Sequence, residues 1–167
     1  MHQSHSNRRE PQHRQNGLVL KLPPVALGII VAALMWVASF ATPKIDFFLP
    51  ARCLWSIALA LAGAVPCLSG VVSFQRAKTT ISPVKPESTL SLIVSGIYKY
   101  TRNPIYVGFV VVLFGWAAFL SNLAAVALLP AFVVYINLYQ IRPEERVLTS
   151  LFPHEYPAYR AKVRRWI

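Results

Sequence analysis

The sequence predicts an all-α, polytopic integral membrane protein: four transmembrane helices, the last two folded into a helical hairpin, followed by amphipathic cytoplasmic helices toward the C-terminus. Three observations carry this prediction. Of 167 residues, 55% are hydrophobic and 14% charged, where a soluble domain carries about a quarter charged residues, and the mean hydropathy is +0.46. The uncharged intervals have bilayer lengths, with 22 residues between Lys21 and Lys44, 22 between Arg52 and Gln75, and 39 between Arg102 and Arg142. Finally, the 17 Lys and Arg residues divide fifteen to two across the topology those intervals imply. A net charge of +11 taken alone suggests a nucleic-acid binder. Hydropathy and the map of charges exclude that class and make the excess a topological label.

Residues 1–21 form a polar, basic arm without periodicity that holds three of the four histidines, His2, His5 and His13. The composition predicts disorder there rather than a metal site. A bilayer core takes about 20 helical residues at about 1.5 Å each, so the first two intervals make one span apiece, at about 22–42 and 53–74. The competing reading of the first as a signal peptide cleaved near Ser39-Phe40-Ala41 asks for a shorter apolar stretch, of about 7–15 residues. Cys53 and Cys67 sit inside the second apolar run without disulfide or metal-ligand spacing and are read as packing. The 39-residue interval makes two spans, 104–120 and 123–141, reversing at the turn-forming pair Ser121-Asn122. Four crossings put the arm, a connector at 75–103 and the C-terminal helices (143–167) on the basic, cytoplasmic side, against Lys44 and Arg52 on the other.

In the connector, Pro83 and Pro86 favour extended chain. Leu90, Leu92, Ile93 and Val94 form an apolar patch suited to an interfacial anchor or lid. Tyr98, Tyr100, Arg102, Asn103, Pro104 and Tyr106 follow closely. With Pro104 in the first turn of span three and Asn103 at its N-cap, unpaired backbone N–H groups make an anion-attracting, aromatic entrance. A membrane-interface belt of tyrosines and snorkelling basic residues explains the same composition. Span four is expected to break at Pro143. That leaves Glu144 and Glu145, two of six acidic residues, in the first turn of a new helix, where the helix dipole alone would favour them.

Two spans of equal length return Arg142, Glu144 and Glu145 to the level of Tyr98 and Arg102. The joined site offers carboxylates for an ammonium, guanidinium for a carboxylate and tyrosine faces for a cation, a set that suits S-adenosylmethionine. Beyond it, Val147, Leu148, Leu151 and Phe152, then Tyr156, Tyr159, Val163 and Trp166, recur at helical spacing and are expected to close the site from above. Arg160, Lys162, Arg164 and Arg165 make a basic face for anionic headgroups.

Ser95, Gly96, Tyr98, Arg102, Asn103, Pro104, Tyr106 and Gly108, then two spans, then Glu144, Glu145, Leu148, Phe152, Glu155, Tyr156, Tyr159 and Val163 resemble, in order and separation, the isoprenylcysteine carboxyl methyltransferase family. That family is grouped with the phospholipid methyltransferases. The resemblance implies an S-adenosylmethionine-dependent membrane methyltransferase. It assigns Leu90, Leu92, Ile93, Tyr98, Arg102, Asn103, Pro104, Tyr106 and Glu144 to the cofactor. Glu145 becomes a helper or base, and Arg142 substitutes for a substrate-facing arginine whose place is taken here by Gln140. Asn103 stands where eukaryotic members have histidine. The acceptor implied is a lipophilic or prenylated molecule entering from the bilayer, with its carboxylate as methyl acceptor; a phospholipid amine, a thiol, or a non-catalytic scaffold are the alternatives. Membrane lipids are the remaining partners, with no nucleic acid and no metal. The compact four-span form suits a bacterial inner membrane, or the endoplasmic reticulum in a eukaryote.

Overall fold

A computed structural model describes residues 23–43, 49–77 and 91–167. The predicted basic arm, Pro83, Pro86 and Leu90 lie outside the described residues. Within them the chain is all-helical: α1 (Pro24–Ala41), α2 (Leu49–Arg76), α3 (Pro104–Leu120), α4 (Leu123–Ile136), α5 (Arg142–Leu151) and α6 (Glu155–Lys162). A 3-10 turn, Gly96–Lys99, precedes α3, and a π-helical turn, Asn137–Ile141, joins α4 to α5.

Among the described residues three helical stretches are long and apolar enough to cross a membrane: Pro24–Ala41, Ala51–Arg76 and Leu123–Leu151. The 17 residues of α3 rise about 25 Å at 1.5 Å per residue, a little short of the bilayer core. Helix α2 starts four residues before its expected boundary and ends two after it. A charge marks a membrane boundary without ending a helix, and Arg52 stays in the helix with its guanidinium 5.5 Å from the Phe119 ring centroid, a cation–π distance. Large apolar side chains such as Ile29, Trp36, Leu54, Leu61 and Leu68 point outward from α1 and α2. Such a surface is stable in lipid and a liability in water.

The core lies between α1, α3 and α4. Met35 of α1, Leu113 and Ala117 of α3, and Leu129, Phe132 and Ile136 of α4 pack there. The Trp116 indole donates to the Ala32 carbonyl at 3.0 Å. Helix α2 lies so close to α3 that a Cβ on Gly63 would fall 2.7 Å from the Gly108 carbonyl, and one on Gly108 would strike the Cys67 sulfur and the Gly63 carbonyl. Small residues permit that approach. Both cysteines are free thiols.

The chain passes from α3 to α4 through the expected pair. Ser121 takes the left-handed conformation at φ 49°, and the buried Asn122 side chain accepts from the Ala124 and Ala125 N–H groups at 3.0 and 3.2 Å, capping α4. The same side chain donates to the carbonyls of Thr42 and Pro43, pinning the end of α1.

Two expectations are corrected. The break at Pro143 does not occur: the helix runs on through the π-turn, where the Arg142 N–H donates to the Asn137 carbonyl, and Pro143 enters in the first turn of α5, where its missing N–H costs little. The C-terminal segment is not helical to residue 167. Helix α6 ends at Lys162 and Val163 is extended, so Trp166 reaches the core from outside a helix.

Candidate active site

The site forms where the loop before α3, the start of α5 and helix α6 meet, at one end of the helical core. The 3-10 turn buries Tyr98, whose ring meets Phe74 of α2 edge-on at 5.6 Å. Its carbonyl accepts the Tyr159 hydroxyl of α6 at 2.7 Å. Two residues past that turn, Thr101 is buried and its hydroxyl accepts from the Asn103 N–H at 3.2 Å, which shapes the loop that holds Arg102 between them.

Two contacts join the sequence blocks expected to meet. Tyr106 donates to Glu144 Oε1 at 2.8 Å, and Arg102 Nη1 lies 2.8 Å from Glu145 Oε1. Arg102 Nη1 also donates to the buried Tyr156 hydroxyl at 3.3 Å. Glu145 is held from its other side by Arg165, whose Nε and Nη2 donate to Oε1 and Oε2 at 3.1 and 2.6 Å. This bidentate pair is the strong form of a charge-assisted hydrogen bond. The Arg102 side chain is 9% exposed, and its Nε is buried without a hydrogen-bond partner among the described residues. A buried donor left unmade costs about 1–3 kcal/mol, so this atom points to a missing acceptor.

These groups line a cavity of about 200 Å³. Its polar wall is Arg102, Asn103, Glu144 and Glu145. Its aromatic wall is Phe74, Tyr98, Tyr106, Tyr156 and Tyr159, and Leu92, Ile93, Pro104 and Leu148 complete it. An open groove of about 730 Å³ adjoins it, sharing Ser91, Leu92 and Tyr159 and flanked by Lys99 and Lys162. Burial pushes the Tyr98 phenol well above its ordinary range, with Tyr159 and Glu144 adding to the shift. Burial likewise raises Tyr156 and takes Tyr159 to about 12, so all three are hydroxyl donors at neutral pH. Hydrogen bonds donated to Glu145 hold the Arg165 guanidinium above its usual range.

Of the residues singled out from sequence, Leu92, Ile93, Tyr98, Arg102, Asn103, Pro104, Tyr106, Glu144 and Glu145 line the cavity, and Leu90 lies outside the described residues. Arg142 is exposed and is not part of the wall. Two residue steps of about 100° put its side chain on the face opposite Glu144. Asn103 is the N-cap residue of α3 but makes no side-chain cap; its amide donates to the Arg165 carbonyl at 2.9 Å. Arg165, expected to face headgroups, is instead drawn to Glu145. Sequence reasoning missed Phe74, which lies near the end of an apolar run without local signal. It read Tyr156, Tyr159 and Leu148 as packing, although their spacing already put them on one face.

Apolar helices with a polar, aromatic cavity at one end define an integral membrane protein. The family model for phospholipid methyltransferase matches residues 51–155, and the chain belongs to that family, the membrane methyltransferases. A Haemophilus influenzae protein described as uncharacterized is 38% identical over 63 residues, covering 38% of this chain and all of that protein. The protein-S-isoprenylcysteine O-methyltransferase of Schizosaccharomyces pombe is 36% identical over 72 residues, 43% of this chain and 30% of that enzyme. The matched region thus spans less than a third of the fission-yeast enzyme's length. No solved structure matches the chain.

Proposed function

We propose that the protein transfers a methyl group from S-adenosylmethionine to a lipophilic acceptor, with the acceptor's carboxylate as nucleophile, as in an isoprenylcysteine-like substrate. The observation that carries the reading is the pair of contacts Tyr106–Glu144 and Arg102–Glu145, which bring both polarities of charge into one aromatic cavity. The donor set fits a zwitterion with a positive sulfur: Glu144 for the ammonium, the unbonded Arg102 Nε for the carboxylate, and tyrosine faces for the cation. Ligand sites are commonly about 300–1,000 Å³, so the cavity of about 200 Å³ takes one end of such a molecule and the adjoining groove the other.

When bound, S-adenosylmethionine supplies an electrophilic methyl on a sulfonium that leaves as a neutral thioether. The chain's task is then alignment. Glu144, oriented by the Tyr106 hydroxyl, and Arg102, oriented by Glu145, fix one end of the ligand. Tyr98, Tyr106, Tyr156 and Phe74 exclude water from the reacting centre. Glu145, gripped by two guanidiniums, is an anchor for Arg102 rather than a base, and the raised tyrosines keep their protons. A carboxylate acceptor requires no base, which favours it over an ammonium or thiol, each of which must first lose a proton. The description of the family favours a second reading, methylation of a phospholipid amine. In both, the acceptor enters from the bilayer, with four crossings and both described ends of the chain on the basic, cytoplasmic side.

Incubation of membranes containing the protein with methyl-labelled cofactor, followed by lipid extraction and mild base, separates the two. A methyl ester releases labelled methanol and an N-methyl lipid retains its label. Label in neither fraction overturns methyl transfer to a lipophilic acceptor.

A further inference from the structure

The segment after α6 is built into the site. The Arg165 carbonyl accepts from the Asn103 amide at 2.9 Å and the Thr101 hydroxyl at 3.2 Å, and the Arg102 N–H donates to the Arg164 carbonyl at 3.0 Å. The backbone at 164–165 is therefore fastened to the loop that carries Arg102. The Arg165 side chain then occupies both oxygens of Glu145, leaving Arg102 a single-nitrogen contact through Nη1 and its Nε without an acceptor. A guanidinium beside a carboxylate prefers to close two parallel hydrogen bonds. Arg102 is denied that arrangement because Arg165 already holds it.

We infer that Arg165 is a positioning residue: by saturating Glu145 it keeps Arg102 from closing on that carboxylate and so leaves the buried Arg102 Nε available to an anionic group of the ligand. This rests on the cofactor reading above, in which that group is the carboxylate of the amino-acid end. Without Arg165, Glu145 Oε2 is released, Arg102 turns its Nε and Nη2 edge to grip both oxygens, and the ligand's carboxylate loses its donor. The adenosine end is untouched.

The test uses the whole chain in detergent, with binding of S-adenosylhomocysteine and of methylthioadenosine, which lacks the amino-acid end, measured by calorimetry. Arg165→Ala is expected to weaken S-adenosylhomocysteine about tenfold or more and to leave methylthioadenosine within about twofold. Arg165→Lys, which keeps a positive charge beside Glu145 without the two parallel hydrogen bonds, recovers part of the loss. In a Glu145→Gln background, Arg165→Ala adds nothing further, the signature of a residue acting through its partner. Equal weakening of both ligands reveals a merely structural role and overturns the inference, as does unchanged affinity for S-adenosylhomocysteine or an additive double variant. If the alanine variant does not fold, Arg165→Gln carries the same comparison. Failure of the unsubstituted protein to bind either ligand overturns the cofactor reading itself and is seen before any variant is made.

Discussion

Replacing Glu144 by Gln tests the proposed ammonium site with the least disturbance of the fold. The amide has the carboxylate's shape, and its oxygen can still accept the Tyr106 hydroxyl now 2.8 Å from Glu144 Oε1; what disappears is the negative charge on the cavity wall. Two unit charges about 4 Å apart attract by about 4 kcal/mol at an effective dielectric of about 20. That is a ceiling, because the ligand's ammonium gives up water on entering. Hydrogen bonds to charged groups net about 1.5–3 kcal/mol, which predicts affinity about 10- to 150-fold weaker for S-adenosylhomocysteine. Calorimetry in detergent reads the affinity, and thermal unfolding of the same sample checks that the fold is intact. An affinity within about twofold of the unsubstituted protein, or an equal loss for an analogue lacking the amino group, would refute the assignment.

Gly108→Ala places a methyl against the Cys67 sulfur and the Gly63 carbonyl. Overpacking of this kind costs about 1–3 kcal/mol, so its thermal midpoint is expected to drop, and an unchanged midpoint would mean that α2 and α3 are not so tightly apposed. The buried phenols predict an alkaline limit. Tyr98 and Tyr159 keep their protons in the fold, Tyr159 to about 12, whereas the unfolded chain releases them near 10; their contribution is complete below about pH 10 and lost as pH rises through the folded values. Phenolate absorbance that develops fully before unfolding, as followed by circular dichroism, would contradict it. Deleting Leu138, partly exposed in the π-turn, restores a plain α-helix and turns α5 by about 100°. Helical content should persist while cofactor binding is lost, and retained affinity would show that the turn has no part in aiming Glu144 and Glu145.

The parts of the fold visible from sequence are those governed by local chemistry. Helix α3 runs from Pro104 to Leu120, as expected, because a proline at a helix start and the Ser121-Asn122 turn at its end are short-range signals. Helix α2 overran its expected limits because its boundaries were taken from charges, which report depth in a membrane rather than helix ends. The return of Glu144 and Glu145 to the level of Tyr98 and Arg102 followed from the lengths of two apolar runs. The contribution of Arg165 did not, since nothing within the stretch around it separates a guanidinium facing lipid headgroups from one that turns back to a carboxylate twenty residues earlier. Phe74 is hidden for the same reason: its neighbour Tyr98 lies across the connector, and an aromatic near the end of an apolar run looks like any other interfacial residue.

The π-turn explains why the helix could ignore Pro143 and still deliver two carboxylates to one wall. A proline inside an α-helix removes a hydrogen bond and crowds the carbonyl of the preceding turn, and a π-turn spreads that preceding turn over an extra residue. The extra residue rotates everything after it by about 100°, so its effect is not confined to relieving the proline. It sets which face of α5 meets the loop before α3, the face that buries Glu145. Arg142 and Glu145 are adjacent turns of one face in a sequence diagram. In the structure they are divided between solvent and site: Arg142 is exposed, and Arg165, from another part of the chain, joins the expected Arg102 in bringing positive charge to Glu145.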